Sequence, residues 1–344
     1  MKIKKSILFI FSICASFSFA QDVHFSQYNE TPQLLNPGAT GVYSGYVRAI
    51  VNYKNQWAAM GNAFNTVAAS VDMPLFDKKE KNAHLGAGIN FFSDKAGDSQ
   101  FGLTQANLCL AAILPVSRES KFSMGLSVGG AQHKVNLADM NWGNQYDGQG
   151  FNTAVANYET TPTNSFFYLD LAAGLYYEYS NGKVKFERNE KRKLNVGVSY
   201  FHLNRPTQKY FSVSEKLYGK LVVNMSGHFD KPGTKVAFLP SAIFFQQGKA
   251  MEITAGCAVR YRFKNDTKIT GLISETALGV GLYYRHGDAI IPSVFLTMSD
   301  FSFGLSYDIN ISSYSQVSKY NGGVEISLKY HILKGALFKQ KNMI

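Results

Sequence analysis

Serine, histidine and aspartate, the side chains of a nucleophile, its base and an orienting acid, all occur here but lie scattered along the chain. No strained elbow or other local context gathers them, so a membrane-embedded lipid enzyme is disfavoured and no catalytic residue is expected. The seven histidines contain no His-x-x-x-His pair, and neither Cys109 nor Cys257 has a ligating neighbour, so no metal or other cofactor is expected. The stretch Asp139 to Gly148 is rich in side-chain oxygens, yet it lacks calcium-loop spacing and a closing Glu, and reads as turn chemistry. Trp57 and Trp142 are the only tryptophans, each beside Asn and Gln. Anchoring in an interfacial aromatic belt, or packing of a loop corner, is favoured over direct partner contact for both. Asn36-Pro37 is either a hook that docks a partner or a turn that leads the chain onward, since proline fixes its own φ and restrains the residue before it.

The elements around these residues read as strands. Phe301, Phe303, Leu305, Tyr307 and Ile309 alternate with Ser302, Gly304, Ser306 and Asp308, leaving one side greasy and the other small and polar. Phe122, Met124, Leu126 and Val128 oppose Ser123, Gly125, Ser127 and Gly129 in the same way. Val324, Ile326, Leu328, Tyr330 and Ile332 oppose Glu325, Ser327, Lys329 and His331, and Glu252, Thr254, Arg260 and Arg262 share the polar side of another strand. A soluble sandwich alternates too, but segments of this length suit tilted strands crossing ~30 Å of hydrocarbon, whereas soluble strands average about 5 to 6 residues. Charges on the small-residue face would be costly in a dry core and tolerable in a barrel lumen. The pattern predicts an all-β fold, an antiparallel up-and-down transmembrane barrel. Its strands are expected near 46–54, 64–73, 83–92, 102–114, 121–133, 166–180, 194–202, 217–229, 235–246, 250–263, 276–286, 290–298, 301–309 and 322–332.

These fourteen strands put both barrel ends on the periplasmic side, with the connections 134–165, 203–216 and 310–321 outside the cell. The inner connections 181–193 and 264–275 are long for turns and read as loops or strand extensions. The chain opens on a basic stretch, Met1 to Lys5, followed by the apolar run Ile7 to Ala15 and small residues at Ser18 and Ala20, which reads as a leader cleaved before Gln21. The expected divisions are therefore a signal peptide over 1–20, a periplasmic segment over 21–45, the barrel over 46–332 and a tail over 333–344. Removing the three leader lysines takes the formal charge from +11 to +8. That excess sits largely in turn runs such as Lys78 to Lys81, and an exported chain meets no nucleic acid, so solvated or headgroup-facing charge is the better reading. A single bridge between Cys109 and Cys257 is open but unneeded.

The segment Phe25 to Gly41 carries an aromatic-Gln-Tyr stretch at Gln27 and Tyr28, then Asn36, Pro37 and Gly41, and the next strand ends Lys54-x-Gln56-Trp57. Asp94-Lys-Ala-Gly97 follows the third strand, and Trp142, Gly143, Gln145 and Tyr146 with Asp147-Gly148 mark the long loop. In this the chain resembles the PorP/SprF family of Bacteroidetes over almost everything after residue 21. The resemblance implies a non-enzymatic, cell-surface outer-membrane component of type IX protein secretion, assisting export or anchoring of a partner such as a large adhesin of gliding motility, or its C-terminal domain. The expected partners are secretion components or that adhesin, with outer-membrane lipid around the wall. A porin-like channel for small solutes is the alternative.

Overall fold

The computed structural model describes residues 22–43, 45–56, 64–76, 82–97, 101–135, 142–146, 148–152, 154–155, 165–185, 188–210, 213–264, 276–312, 315 and 319–332. The expected leader, Trp57, Asp147 and the tail 333–344 lie outside them. Sixteen strands are present among the described residues: β1 (Val47–Gln56), β2 (Phe64–Leu75), β3 (His84–Ala96), β4 (Phe101–Pro115), β5 (Ser120–Lys134), β6 (Ser165–Lys185), β7 (Arg188–Phe201), β8 (Thr207–Tyr210), β9 (Val213–Lys216), β10 (Lys220–Asp230), β11 (Val236–Gln247), β12 (Ala250–Lys264), β13 (Thr276–Arg285), β14 (Ala289–Met298), β15 (Phe301–Asn310) and β16 (Asn321–Ile332). All but β8 and β9 close into one antiparallel barrel of neighbouring strands.

Closure is made by β1 against β16, in unbroken register from Val47 opposite Ile332 to Gln56 opposite Gly323. The alternation read from the sequence sets the two faces: Met124, Leu126 and Val128 of β5 point outward, while Ser123, Gly125 and Ser127 point in. An outward band of exposed Leu, Ile, Val and Phe side chains belongs in lipid, where a closed barrel leaves no strand edge unpaired. Two rims follow. Val47 and Ile332 mark the terminal rim, and the opposite one, bearing residues 135–164 and 202–219, is the loop rim.

Two differences from expectation have physical reasons, and one choice left open is decided. The connection 203–216 is not plain loop, because Thr207 to Tyr210 pairs with Val213 to Lys216 as a hairpin. Of the two readings of 181–193, strand extension holds, with Asn181 paired to Arg192 and Lys185 to Arg188 at the terminal-rim ends of β6 and β7. The segment 21–45, expected in the periplasm, enters the barrel, and residues 22–43 lie inside the lumen. Its polar side chains find partners on the inner wall, and Tyr28 and Leu35 bury against Val222, Ile243 and Phe245. The chief apolar cluster thus sits between this segment and the wall of β10 and β11.

Candidate functional site: the lumenal plug

Residues 22–43 form a plug in two parts. After a 3-10 turn at Tyr28–Glu30, the part nearer β1 is a hook of short turns: Pro32–Leu35 is a single α turn with proline in its first position, and Pro37–Ala39 another 3-10 turn. Proline suits these positions because its φ matches the turn and its missing N–H would have gone unpaired there. Asn36 holds the hook at both ends of its side chain. Its Oδ1 accepts from Gly38 N at 2.8 Å, and its Nδ2 donates to Leu175 O on β6 at 2.9 Å.

Glycines on the wall make this approach sterically feasible. A Cβ on Gly125 of β5 would come within 2.3 Å of the Pro37 carbonyl carbon, and one on Gly86 of β3 within 2.2 Å of Thr40 O. Both obstacles are backbone, which cannot swing aside. At Gly174 of β6 a Cβ would meet Asn36 Oδ1 at 2.0 Å. The hook ends on Asp72 of β2, whose Oδ2 accepts from Gly41 N at 2.8 Å and whose carbonyl accepts from the Tyr43 hydroxyl at 2.8 Å. Arg48 of β1 holds the same carboxylate at both oxygens, 2.9 and 2.6 Å, a paired geometry that fixes orientation as well as charge.

The part farther from β1 is a clasp of charges. Glu325 of β16 accepts from two consecutive plug amides, Ser26 N at 2.6 Å and Gln27 N at 2.8 Å, while Lys54 of β1 neutralises it at 3.1 Å. Ser26 Oγ donates to Asp308 at 2.7 Å, and Arg285 of β13 binds both that serine and Asp308. Glu252 of β12 meets His24 at 3.2 Å. Burial, helped by Lys54 and Arg285, holds the His24 imidazole well below its ordinary pKa, so it is neutral and this contact is a hydrogen bond. Farther in, the Tyr28 hydroxyl and Asn29 share Ser241 Oγ at 2.8 and 2.9 Å, and Glu30 pairs with Lys329 at 2.7 Å.

At the far end His202, just past β7, bridges Asp22 at 2.7 Å and Asp170 of β6 at 2.8 Å. Burial alone would lower the His202 pKa, but Asp22 and Asp170 outweigh it and raise the imidazole to about 9, so it is charged at neutral pH. Burial likewise pushes the Asp22 carboxyl up, yet Lys220 and His202 prevail and hold it below the usual carboxylate range. Gln247 of β11 completes this end, with Nε2 donating to Asp22 Oδ1 at 3.0 Å. Below the plug a cavity of about 620 Å³ remains, reaching from Tyr28 and Glu30 to Ser299 and Asp300 at the terminal rim.

The residues singled out in the sequence fall into separate places. Gln27, Tyr28, Asn36, Pro37 and Gly41 come together in the plug, where Asn36-Pro37 is seated on the chain's own wall. Gln56 ends β1, and Asp94 sits inside β3 rather than in the turn after it, accepting from Thr66 Oγ1 at 2.6 Å. Gly97 does turn, with φ of 66°. Trp142, Gly143, Gln145 and Tyr146 form a separate local fold in the long loop: Gln145 N donates to Trp142 O at 2.9 Å, Gln145 Nε2 to Val155 O at 2.9 Å, and the Tyr146 and Phe151 rings lie 5.2 Å apart. Cys109 is buried on the inner wall and Cys257 faces outward, both free. Asp72, Asp170, His202, Arg285, Asp308 and the seat glycines carried no site role in the sequence. Arg285 and Asp308 lie in stretches that resemble the family's last hairpins, and the others showed only as charges and glycines on inward faces, which a water-filled lumen would show equally.

A family model described as type IX secretion system membrane protein PorP/SprF matches residues 17–330. No curated protein sequence matches the chain. Among solved structures, a monoaromatic hydrocarbon channel, CymD, aligns at TM-score 0.45 and 9% identity, over 88% of this chain and 92% of its own. BamA of Haemophilus ducreyi lacking POTRA domains 1–3 aligns at 0.40 and 11%, over 83% and 70%. The translocator domain of autotransporter NalP of Neisseria meningitidis aligns at 0.39 and 9%, over 89% and 95%.

Proposed function

Because the chain belongs to the PorP/SprF family of type IX secretion system membrane proteins, an integral outer-membrane barrel, we propose that it works without catalysis, assisting the export or surface anchoring of a secreted protein by direct contact. The family match over residues 17–330 carries this reading. The plug supports it over the small-solute channel, since a lumen spanned by the chain's own backbone leaves the rims and outer loops as its means of acting on others. Tyr28 and Asn36 are 2% and 0% exposed, which directs partner contact away from the plug and towards the loop built on Trp142, Gln145 and Tyr146.

Affinity purification of the barrel from native outer membrane, followed by identification of what accompanies it, tests the reading. Recovery of secretion components or of one large exported adhesin is expected; recovery of the barrel alone would count against it. Planar-bilayer recording separates the channel alternative, because a robust ion-selective current through the intact protein would overturn the closed-lumen argument.

A further inference from the structure

The two ends of the plug lie at opposite rims, although between them the hook rises as far as Ser199 of β7, whose Oγ donates to Leu35 O, before the chain returns to Lys329. Tyr46 N donates to Ile332 O at 2.8 Å at the terminal rim, and Tyr43 stacks edge-on against His331 there, with ring centroids 4.9 Å apart. Glu30 meets Lys329, three residues from the end of β16. Tyr28 and Asn29 meet Ser241, in the middle of β11. Ser26 meets Asp308 and Glu325, close to the loop-rim ends of β15 and β16. Asp22 is held by His202, one residue past β7, by Gln247, the last residue of β11, and by Lys220, the first of β10. Those three positions all belong to the loop rim.

From this path we infer that the N-terminal segment threads the whole lumen, so that Asp22 stands at the loop rim beside the hairpin of β8 and β9 although β1 starts from the opposite side. On the cleavage expected before Gln21, one residue ahead of Asp22, the mature N-terminus is then presented on the cell surface. The inference rests on the outer-membrane placement above, with the long loops outside. A segment that merely hung below the barrel could not bring Asp22 to His202. The groups that end the path come from three adjacent strand ends of one side of the rim: Asp22 is held by the His202 imidazole, the Lys220 ammonium and the Gln247 amide.

Cysteine labelling on intact cells with a membrane-impermeant maleimide tests it, in the full-length protein carrying Cys109→Ser and Cys257→Ser. Gln21→Cys is expected to label as readily as Ala154→Cys in the long loop, while Lys231→Cys in the turn at the terminal rim labels only after the outer membrane is opened. Thr31→Cys, 3% exposed inside the lumen, should stay unlabelled until the barrel is denatured. Heat-modifiable migration on gels checks that each variant has folded. If Ala154→Cys labels on intact cells and Gln21→Cys does not, the threading is wrong and the orientation stands. If Lys231→Cys labels on intact cells and Ala154→Cys does not, the orientation is wrong, and surface presentation falls with it.

Discussion

The two parts of the plug are held to one wall by opposite means. The hook, residues 31–43, sits by shape: backbone lies on glycine, and few charges take part apart from Asp72 with Arg48. The clasp, residues 22–30, sits by charge: Glu325, Asp308, Arg285, Glu252 and His202 reach for amides, a hydroxyl and a carboxylate. A steric seat is indifferent to pH and salt but intolerant of a single added carbon. A charge clasp tolerates changes of shape but fails when one partner is removed or neutralised, because the other is left buried and alone.

The sharpest way to break the comparison is at the seat. Gly125→Ala puts a methyl 2.3 Å from the Pro37 backbone, so the hook must leave or the wall must bend, at a cost of several kcal/mol. Hydrogen exchange read by mass spectrometry should show protection lost over residues 36–43 at every pH. Gly97→Ala, which meets nothing within 4 Å, should leave the hook protected despite backbone strain at its turn. Protection retained in Gly125→Ala would refute the steric account.

An effect confined to the other part is expected from Arg285→Met. It leaves Asp308 and Glu252 buried without their cation, and removing one partner of such a network costs about 3–5 kcal/mol. Exchange should rise over residues 22–30 while residues 36–43 stay protected and the barrel stays folded. If both parts open together, the plug is one cooperative unit and the division fails.

The smallest effect comes from pH. His202 faces Asp22 of the plug and Asp170 of β6, with Lys220 of β10, Gln247 of β11 and Gln105 of β4 alongside. Its pKa is raised in the folded barrel, to about 9 against an ordinary 6.5. Its contribution is therefore complete below about pH 6.5 and is lost as pH rises through 9, and is worth up to about 3 kcal/mol. The protection factor at residues 22–24, the intrinsic base-catalysed exchange rate at each pH divided by the observed rate, should fall across that window in the native protein and show no such fall in His202→Gln. A flat profile in the native protein would remove His202 from the clasp.

What could be read in advance follows from the range of each interaction. Alternation is local, so the barrel strands were legible within a few residues of their ends, except where β6 and β7 run on to Lys185 and start at Arg188 through a charged stretch without alternation, and so were the inward faces of Ser123, Gly125, Ser306 and Glu325. The plug was not, because residues 22–43 carry no period and their partners lie far along the chain, as Ser26 and Glu325 do. Glu252 and Lys329 look the same in sequence whether they face water or a tethered segment. Asn36-Pro37 could be recognised as special without its seat being visible, since the seat is made of glycines, whose contribution is the absence of a side chain. Residues 207–216 hid a hairpin because two four-residue strands are too short for alternation to stand out.

Glu325 stands at two junctions at once, receiving the plug amides of Ser26 and Gln27 while lying opposite Lys54 across the closing pair of strands. Side chains in a strand change face with every residue, so a closing pair misaligned by one position would turn this carboxylate into lipid and strand both its amides and its lysine. Correct closure and correct filling are thereby verified by the same group. A barrel sealed empty leaves Glu325 its lysine but not its amides, and one sealed a step out leaves it neither.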